Sequence, residues 1–220
     1  MTQTALPAEL SAPELAGDAR ALLDQLGSPE ALPTLSSAAT ALTLEAVRDE
    51  ATLRRFLAGY REQALLPLEL PAILRAHGHA ARNELRELLT LDQELARDAR
   101  LREFRAASAA VGRRQLSKLR PLRDQRLVQR YLRAVENGQA HGWHTLVFGV
   151  FLAQYSLPLR QGLLLYGQRT LGGFADSASA TLRLPQAVGD ALFAEALAPV
   201  ADRISALLAS RPGIGTWPPG

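Results

Sequence analysis

The stretch that decides the fold is Leu101-Arg-Glu-Phe-Arg-Ala-Ala-Ser-Ala-Ala-Val-Gly-Arg-Arg-Gln-Leu116. Spacings of three and four residues, typical of one face of an α-helix, relate Leu101, Phe104, Ser108 and Val111. A serine interrupts this face, and Gly112 adds a mid-helix glycine that costs about 1 kcal/mol relative to alanine. We therefore expect a helix that packs closely against another helix and ends at Pro121.

A second informative stretch is Ser179-Ala-Thr-Leu-Arg-Leu-Pro-Gln186, which precedes a long segment rich in alanine and leucine. Arg183 interrupts a face that should be buried. A buried guanidinium is costly unless it is paired. We expect Arg183 to meet a carboxylate, backbone carbonyls or a partner protein.

The remaining sequence has the same helical periodicity. Asp49 is a candidate N-cap for a helix whose apolar face is Leu53, Phe56, Leu57, Tyr60 and Ala64. We expect breaks at Pro67 and Pro71 and a polar helix over about 80–96. A later helix is expected to be loosened or ended by Gly172-Gly173, and one last helix to begin at about Pro185. The predicted fold class is all-α: a single-domain helical bundle of roughly eight to ten helices over residues 13–210, with flexible tails at 1–12 and 211–220.

Composition narrows the classes of function. Of 220 residues, 47% are hydrophobic, only 5% are aromatic and none is cysteine, which excludes disulfides, thiolate metal sites and cysteine nucleophiles. The sequence contains neither a signal-peptide pattern nor an uncharged apolar run of membrane-spanning length. We expect a soluble, cytoplasmic protein without a membrane contact.

Positive charge is concentrated in residues 100–133. This segment carries a net charge of +9 and the rest of the chain −6. Its cations are Arg100, Arg102, Arg105, Arg113, Arg114, Lys118, Arg120, Arg123, Arg126, Arg130 and Arg133. The segment is either a solvated helix face or a docking surface for an acidic partner or nucleic acid. Few aromatic residues interleave with these arginines, which makes nucleic acid the less favoured partner.

Signatures of catalysis are missing from the sequence. It has no phosphate-binding G-x-x-x-x-G-K-[ST] loop, no G-x-S-x-G nucleophile motif and no H-E-x-x-H motif. The pairs His77-x-His79 and His141-x-x-His144 could bind a transition metal in principle, although no neighbouring carboxylate orients the second pair. We expect a binding protein that is not an enzyme, with no catalytic, cofactor-binding or metal residues.

The two opening stretches resemble motifs of the urease accessory protein family UreF. The family segment E-x-R-x-x-S-x-x-x-G-R is matched by Glu103, Arg105, Ser108, Gly112 and Arg113. Arg183 matches the arginine of the later A-x-x-R-L-x-P-x-G-Q segment, although Gln186 directly follows Pro185 here. Glu69-Leu-Pro71 resembles the family's D-x-P segment. Leu32-Pro33 and Thr43-Leu-Glu45 stand in the place of its entry motif, whose glycine and aromatic residue are absent here.

The resemblance implies an all-α, cytosolic and non-catalytic protein that dimerises. It implies binding to the accessory protein UreD or UreH, recruitment of the GTPase UreG, and nickel delivery to apo-urease. Partner-binding residues implied by the matched positions are Glu45, Glu103, Arg105, Ser108, Gly112, Arg113 and Arg183. Two other hypotheses remain open: a helical nucleic-acid-binding regulator that uses residues 100–133, and a metalloenzyme built on the histidines.

Overall fold

The computed structural model describes residues 35–121 and 124–210, and it confirms the all-α prediction. The described residues contain no β-strand. Their ten α-helical segments are α1 (Leu35–Ala41), α2 (Glu50–Tyr60), α3 (Leu70–Ala81), α4 (Leu85–Arg97), α5 (Arg105–Lys118), α6 (Arg126–Glu136), α7 (His144–Gln154), α8 (Leu159–Leu182), α9 (Gln186–Leu197) and α10 (Val200–Ala209). The sequence-predicted tails at 1–12 and 211–220, and Leu32-Pro33, lie outside the described residues.

Helix α2 begins at the capping residue that the sequence predicts. The Asp49 carboxylate accepts a hydrogen bond from the Thr52 backbone N–H at 2.8 Å, and the Thr52 hydroxyl accepts one from the Asp49 N–H at 2.9 Å. This reciprocal pair satisfies two backbone donors at the helix terminus. The apolar face that follows, from Leu53 to Ala64, is buried throughout as expected.

Pro67 does not break the chain's helical path, contrary to the sequence-based expectation. Residues Arg61–Glu69 form a π-helical turn that joins α2 to α3. The wider turn is closed by bonds such as Leu70 N–H to the Leu65 carbonyl, five residues back. Proline has no N–H and clashes with the carbonyl four residues earlier, and a π turn relieves both constraints locally. Pro71 lies in the first turn of α3, where proline is tolerated.

Three further breaks differ from those expected. The polar helix begins at Leu85 rather than near Ala80, because Asn83 adopts the left-handed conformation (φ 58°) and the Glu84 N–H bonds back to the His79 carbonyl at 2.8 Å. Helix α8 continues through Gly172-Gly173. The expected last helix is two helices, α9 and α10, separated at Ala198-Pro199.

The centre of the bundle is the pair α3 and α7. Every residue of α7 from His144 to Leu152 is buried, so this helix is enclosed on all sides. The two backbones approach closely at Gly149: a Cβ built there would lie 2.5 Å from the Ile73 carbonyl oxygen and 2.9 Å from the Ala76 Cβ. Only glycine permits this approach.

The other helices surround this pair and enclose a continuous apolar core. Helix α5 packs on α7, while α8 contacts α2, α3, α9 and α10. Two rings on α2 meet α8 edge-on: Phe174 lies 5.2 Å from Phe56 and 4.7 Å from Tyr60, measured between ring centroids. In the described part of the chain, no helix combines the length and apolar character needed to cross a bilayer.

We predict opposite effects of alanine at two helical glycines. Gly149→Ala places a methyl group against the α3 backbone and should lower the free energy of unfolding by about 1–3 kcal/mol. Gly172→Ala, whose nearest contact would be the Phe193 ring at 3.4 Å, should be neutral or stabilising by up to about 1 kcal/mol. Urea unfolding followed by circular dichroism measures both. Equal stability changes in the two variants would contradict the close contact.

Candidate functional site

The loop from His141 to Trp143 is bound to α4 through buried Asp92. One carboxylate oxygen accepts hydrogen bonds from the His141 N–H at 2.7 Å and lies 3.1 Å from the His141 Nδ1. The other accepts from the Gly142 N–H and the Tyr131 hydroxyl, each at 2.9 Å. The Trp143 indole N–H donates to the Asp92 carbonyl oxygen at 3.2 Å. Asp92 therefore joins α4, α6 and the start of α7.

A second buried chain of polar groups begins on α5. The Ser108 hydroxyl lies 2.7 Å from Nδ1 of His144 and accepts the His144 backbone N–H at 3.2 Å. Nε2 of the same imidazole lies 2.6 Å from the Tyr166 hydroxyl on α8. Burial lowers the pKa of His144 to about 4. The imidazole is therefore neutral at physiological pH, with hydrogen bonds at both ring nitrogens.

The chain continues to Glu69, at the position that resembles the D-x-P aspartate. The Tyr60 hydroxyl donates to its Oε1 at 2.9 Å. Burial raises the pKa of Glu69 to about 7, against the opposing effect of the hydroxyls of Tyr60 and Tyr166. A carboxyl group with this pKa exchanges its proton near neutral pH, in a site isolated from bulk water.

A small cavity adjoins this chain. Its volume of about 20 Å³ exceeds the roughly 10–15 Å³ that a water molecule requires. Its lining includes polar groups and aromatic rings: Tyr60, Glu69, Phe104, Ser108, Trp143 and His144. The arrangement can hold and relay a proton between buried groups, and it has room for a water molecule but not for a larger substrate.

The histidines are separated by the fold. His144 lies in the buried chain, His141 bonds to Asp92, and His79 bonds through Nδ1 to Glu84 at 2.8 Å. The carboxylate that orients His141 is 49 residues away in sequence, which is why the sequence shows no neighbouring acid. Residues 35–121 and 124–210 contain no group of three or more histidines and carboxylates that could hold a metal ion.

Four of the predicted partner-binding residues lie on α5. Ser108 and Gly112 are buried, and a Cβ at Gly112 would lie 1.8 Å from the Gly142 carbonyl oxygen. Arg113 is exposed, and its Nε donates to the Ala109 carbonyl at 3.2 Å. The fourth, half-buried Arg105, is the first residue of α5 and donates to the Ala96 carbonyl in the last turn of α4. Ser108 and Gly112 thus fix the position of α5, which presents Arg113 to solvent.

Arg183 is not buried, contrary to expectation. It follows the last residue of α8, is exposed, and adopts the left-handed conformation with φ 55° and ψ 40°. The helix ends one residue before it, so the face that the periodicity predicted to be buried stops short of Arg183. The expectation that burial requires a partner for Arg183 is therefore wrong, and its guanidinium is open to solvent.

The last two predicted residues are exposed carboxylates. Glu45 precedes α2 and accepts hydrogen bonds from the Arg55 guanidinium at 2.7 and 3.1 Å. Glu103 lies between the short 3₁₀ turn Ala99–Leu101 and α5, and it pairs with no described residue; the nearby Arg100 pairs with Asp98 instead. The structure brings neither of these residues into the buried chains.

The basic segment occupies α5, α6 and the turns around them. Its described cations are exposed except half-buried Arg105. Among them, Arg100 pairs with Asp98 and Arg120 with Glu136. Arg123 lies outside the described residues. The net positive charge found in the sequence is therefore a real surface feature of this part of the bundle.

Sequence reasoning missed Asp92, Tyr131, Tyr166 and the role of His144. The available signal was a polar side chain at a position that helical periodicity assigns to the core. Asp92 lies four residues after buried Leu88, and Ser108 lies four residues after buried Phe104, so each shares a helix face with an apolar core residue. The partners could not be found in this way, because Asp92 and Gly142 are 50 residues apart.

The fold and surface define an all-α protein with a buried polar centre and charged, exposed positions suited to protein contacts. A family model described as UreF matches residues 47–197, which include both opening stretches but not Glu45. The chain belongs to the UreF family of urease accessory proteins. This is a family of accessory proteins rather than catalytic enzymes. No curated protein matches the chain.

We predict that Glu69 contributes stability at low pH. Its pKa is raised from 4.5 to about 7, so its contribution is largest below pH 4.5 and is lost as the pH rises to 7. His144, whose pKa is lowered from 6.5 to about 4, has the opposite dependence. The wild-type profile therefore contains two opposing effects in an overlapping range.

Glu69→Gln isolates the first effect. Between pH 4.5 and pH 8 the stability of the variant relative to the wild type should rise on the order of 3 kcal/mol, because the wild type alone must ionise a buried carboxyl. Denaturant unfolding at several pH values measures the difference. Glu103→Gln, at an exposed carboxylate, is the control and should follow the wild-type profile. Parallel profiles for wild type and Glu69→Gln would contradict the prediction.

Proposed function

We propose that this chain is a non-catalytic scaffold of urease maturation. In this role it binds UreD or UreH as a homodimer in the cytoplasm, and together they recruit the GTPase UreG and support nickel insertion into apo-urease. The single observation that carries the proposal is the UreF match over residues 47–197, which includes the segments around Arg113 and Arg183. Nickel is the cargo of the assembly in this proposal.

The distribution of the matched residues supports a scaffold role. Glu103, Arg113 and Arg183 present charged side chains to solvent, where a partner can reach them. Ser108 and Gly112 hold α5 against the loop before α7, which fixes the backbone that carries Arg113. A rigid backbone lowers the entropic cost of binding, because fewer conformations are lost when the partner docks.

Deletion of the gene from its urease-producing host tests the proposal. We predict that the urease subunits are still made but contain little nickel and are inactive, because the insertion machinery is incomplete. Immunoblotting, metal analysis of purified urease and an activity assay measure the three properties. A plasmid copy of the gene should restore activity. Normal urease activity in the deletion strain under limiting nickel would refute the proposed function.

Arg183→Ala tests partner recognition at an exposed position. Stability should be nearly unchanged, because the side chain is exposed and alanine also has a Cβ, so the left-handed backbone is no more strained. Affinity for the UreD/UreH–UreG assembly should fall by about 1 kcal/mol or more, about fivefold in Kd. Arg203→Ala, an exposed arginine on α10 outside the matched range, is the control. Calorimetric titration measures both variants, and undiminished affinity of folded Arg183→Ala would exclude this contact.

A further inference from the structure

An open groove lies between α4 and α6, away from the buried polar chains. Its volume is about 760 Å³, within the roughly 300–1,000 Å³ of protein ligand sites. Arg86 and Arg97 on α4 and Arg130 on α6 line it. Arg126 and Arg133 are also exposed, and their spacing from Arg130 (four and three residues) places all three on one face of α6.

These five arginines have no acidic partner among residues 35–121 and 124–210. By contrast, other arginines near them are paired: Arg75 with Glu94, Arg82 with Glu84, and Arg120 with Glu136. Glu84, at one end of the groove, is already held by Arg82 at 2.7 Å and His79 at 2.8 Å. Glu87 is the groove carboxylate without such a bond, so positive charge dominates the surface.

The groove also contains apolar surface. Leu85 and Leu89 are partly buried and contribute to its lining between the arginines, together with Thr90 and Gln93. An occupant must therefore offer carboxylates at its edges and apolar side chains toward the leucines. An amphipathic acidic helix meets both requirements, because its carboxylates and leucines lie on different faces.

We infer that the groove between α4 and α6 binds an acidic amphipathic helix of a partner protein. Arg126, Arg130 and Arg133 span two turns of α6, about 10 Å, and carboxylates spaced four and three residues apart on the bound helix match this interval. Arg86 and Arg97 hold its other side. The inference stands on the groove's own chemistry and does not depend on the proposed function.

A nucleic acid fits the same surface less well. Single strands are bound by stacking on exposed aromatic rings, and no aromatic residue is among the described residues that line the groove. The Tyr131 ring on α6 is fully buried. The leucines of the groove would gain nothing from contact with a charged phosphate backbone.

The test uses the full-length protein and a fluorescent synthetic peptide of about 18 residues, five helical turns of Glu, Leu and Ala with the acidic and leucine faces separated. Fluorescence anisotropy measures its affinity. We expect binding that weakens as salt is raised from about 50 mM to about 300 mM, since the charges are exposed. Replacing the peptide's leucines by alanine, with its charge unchanged, should weaken binding about tenfold.

Paired variants locate the site. Arg97→Glu with Arg130→Glu should weaken peptide binding at least about tenfold. The control is Arg48→Glu with Arg203→Glu, which reverses the charge at two exposed positions outside the groove. Neither arginine forms an ion pair with a described residue. This pair should change the peptide affinity by less than about twofold. Thermal unfolding of each variant shows that the fold is intact.

Three outcomes would overturn the inference. Equal binding by both variant pairs would show that the groove is not the site. Tighter binding of a single-stranded oligonucleotide than of the peptide, lost in the groove variants, would assign the surface to nucleic acid. The third outcome comes from a competition assay, in which a peptide of this chain's own acidic residues 9–30 displaces the labelled probe at a lower concentration than the unlabelled probe does. That result would assign the groove to this segment instead of a partner.

Discussion

The rest of the structure depends on how the short loop before α7 is held. Asp92 on α4 accepts the backbone N–H groups of His141 and Gly142, and Ser108 on α5 accepts that of His144. A buried backbone donor without a partner costs about 1–3 kcal/mol, so each bond is required rather than incidental. Because α7 is enclosed on all sides, misplacing its first residue would disturb every helix that packs on it. The loop thus fixes the relative positions of α4, α5 and α7.

Close backbone contact gives the bundle its second constraint. With aromatic residues at only 5% of the sequence, much of the interior is filled by alanine and leucine, and helices must approach closely to exclude water. Gly149 meets the α3 backbone and Gly112 meets the loop at Gly142, both at distances that exclude any side chain. Hydrogen bonds at the loop set the register of these contacts. The glycines require the same register, because a shift along either helix would place the Cβ of a neighbouring residue where the glycine now lies. Hydrogen bonding and packing therefore select the same arrangement.

The sequence predicts the helices well and their connections less well. Periodicity identified the buried face from Leu53 to Ala64 and the face that carries Ser108, since both patterns are local. It failed at Pro67, where a π turn absorbs the proline, and at Pro199, where the helix does break. It also misjudged Arg183, because a helical face was extended past the residue where the helix ends. The site could be predicted only in part: the pairing of Ser108 with His144, 36 residues away, is a property of the tertiary fold.

The polar groups of this protein divide into two sets with different physical roles. Buried groups such as Glu69, Asp92 and His144 bond to groups on other segments of the chain, so they specify one packing of the helices and are not available to a partner. Exposed arginines on α4 and α6 form no internal ion pair in the described chain and contribute little to stability where they are. The guanidinium groups of these arginines repel one another because they lie on one surface, and an acidic partner would relieve that repulsion. The fold thus separates the groups that hold the scaffold rigid from those that remain open for binding, which is the division of labour that an accessory protein requires.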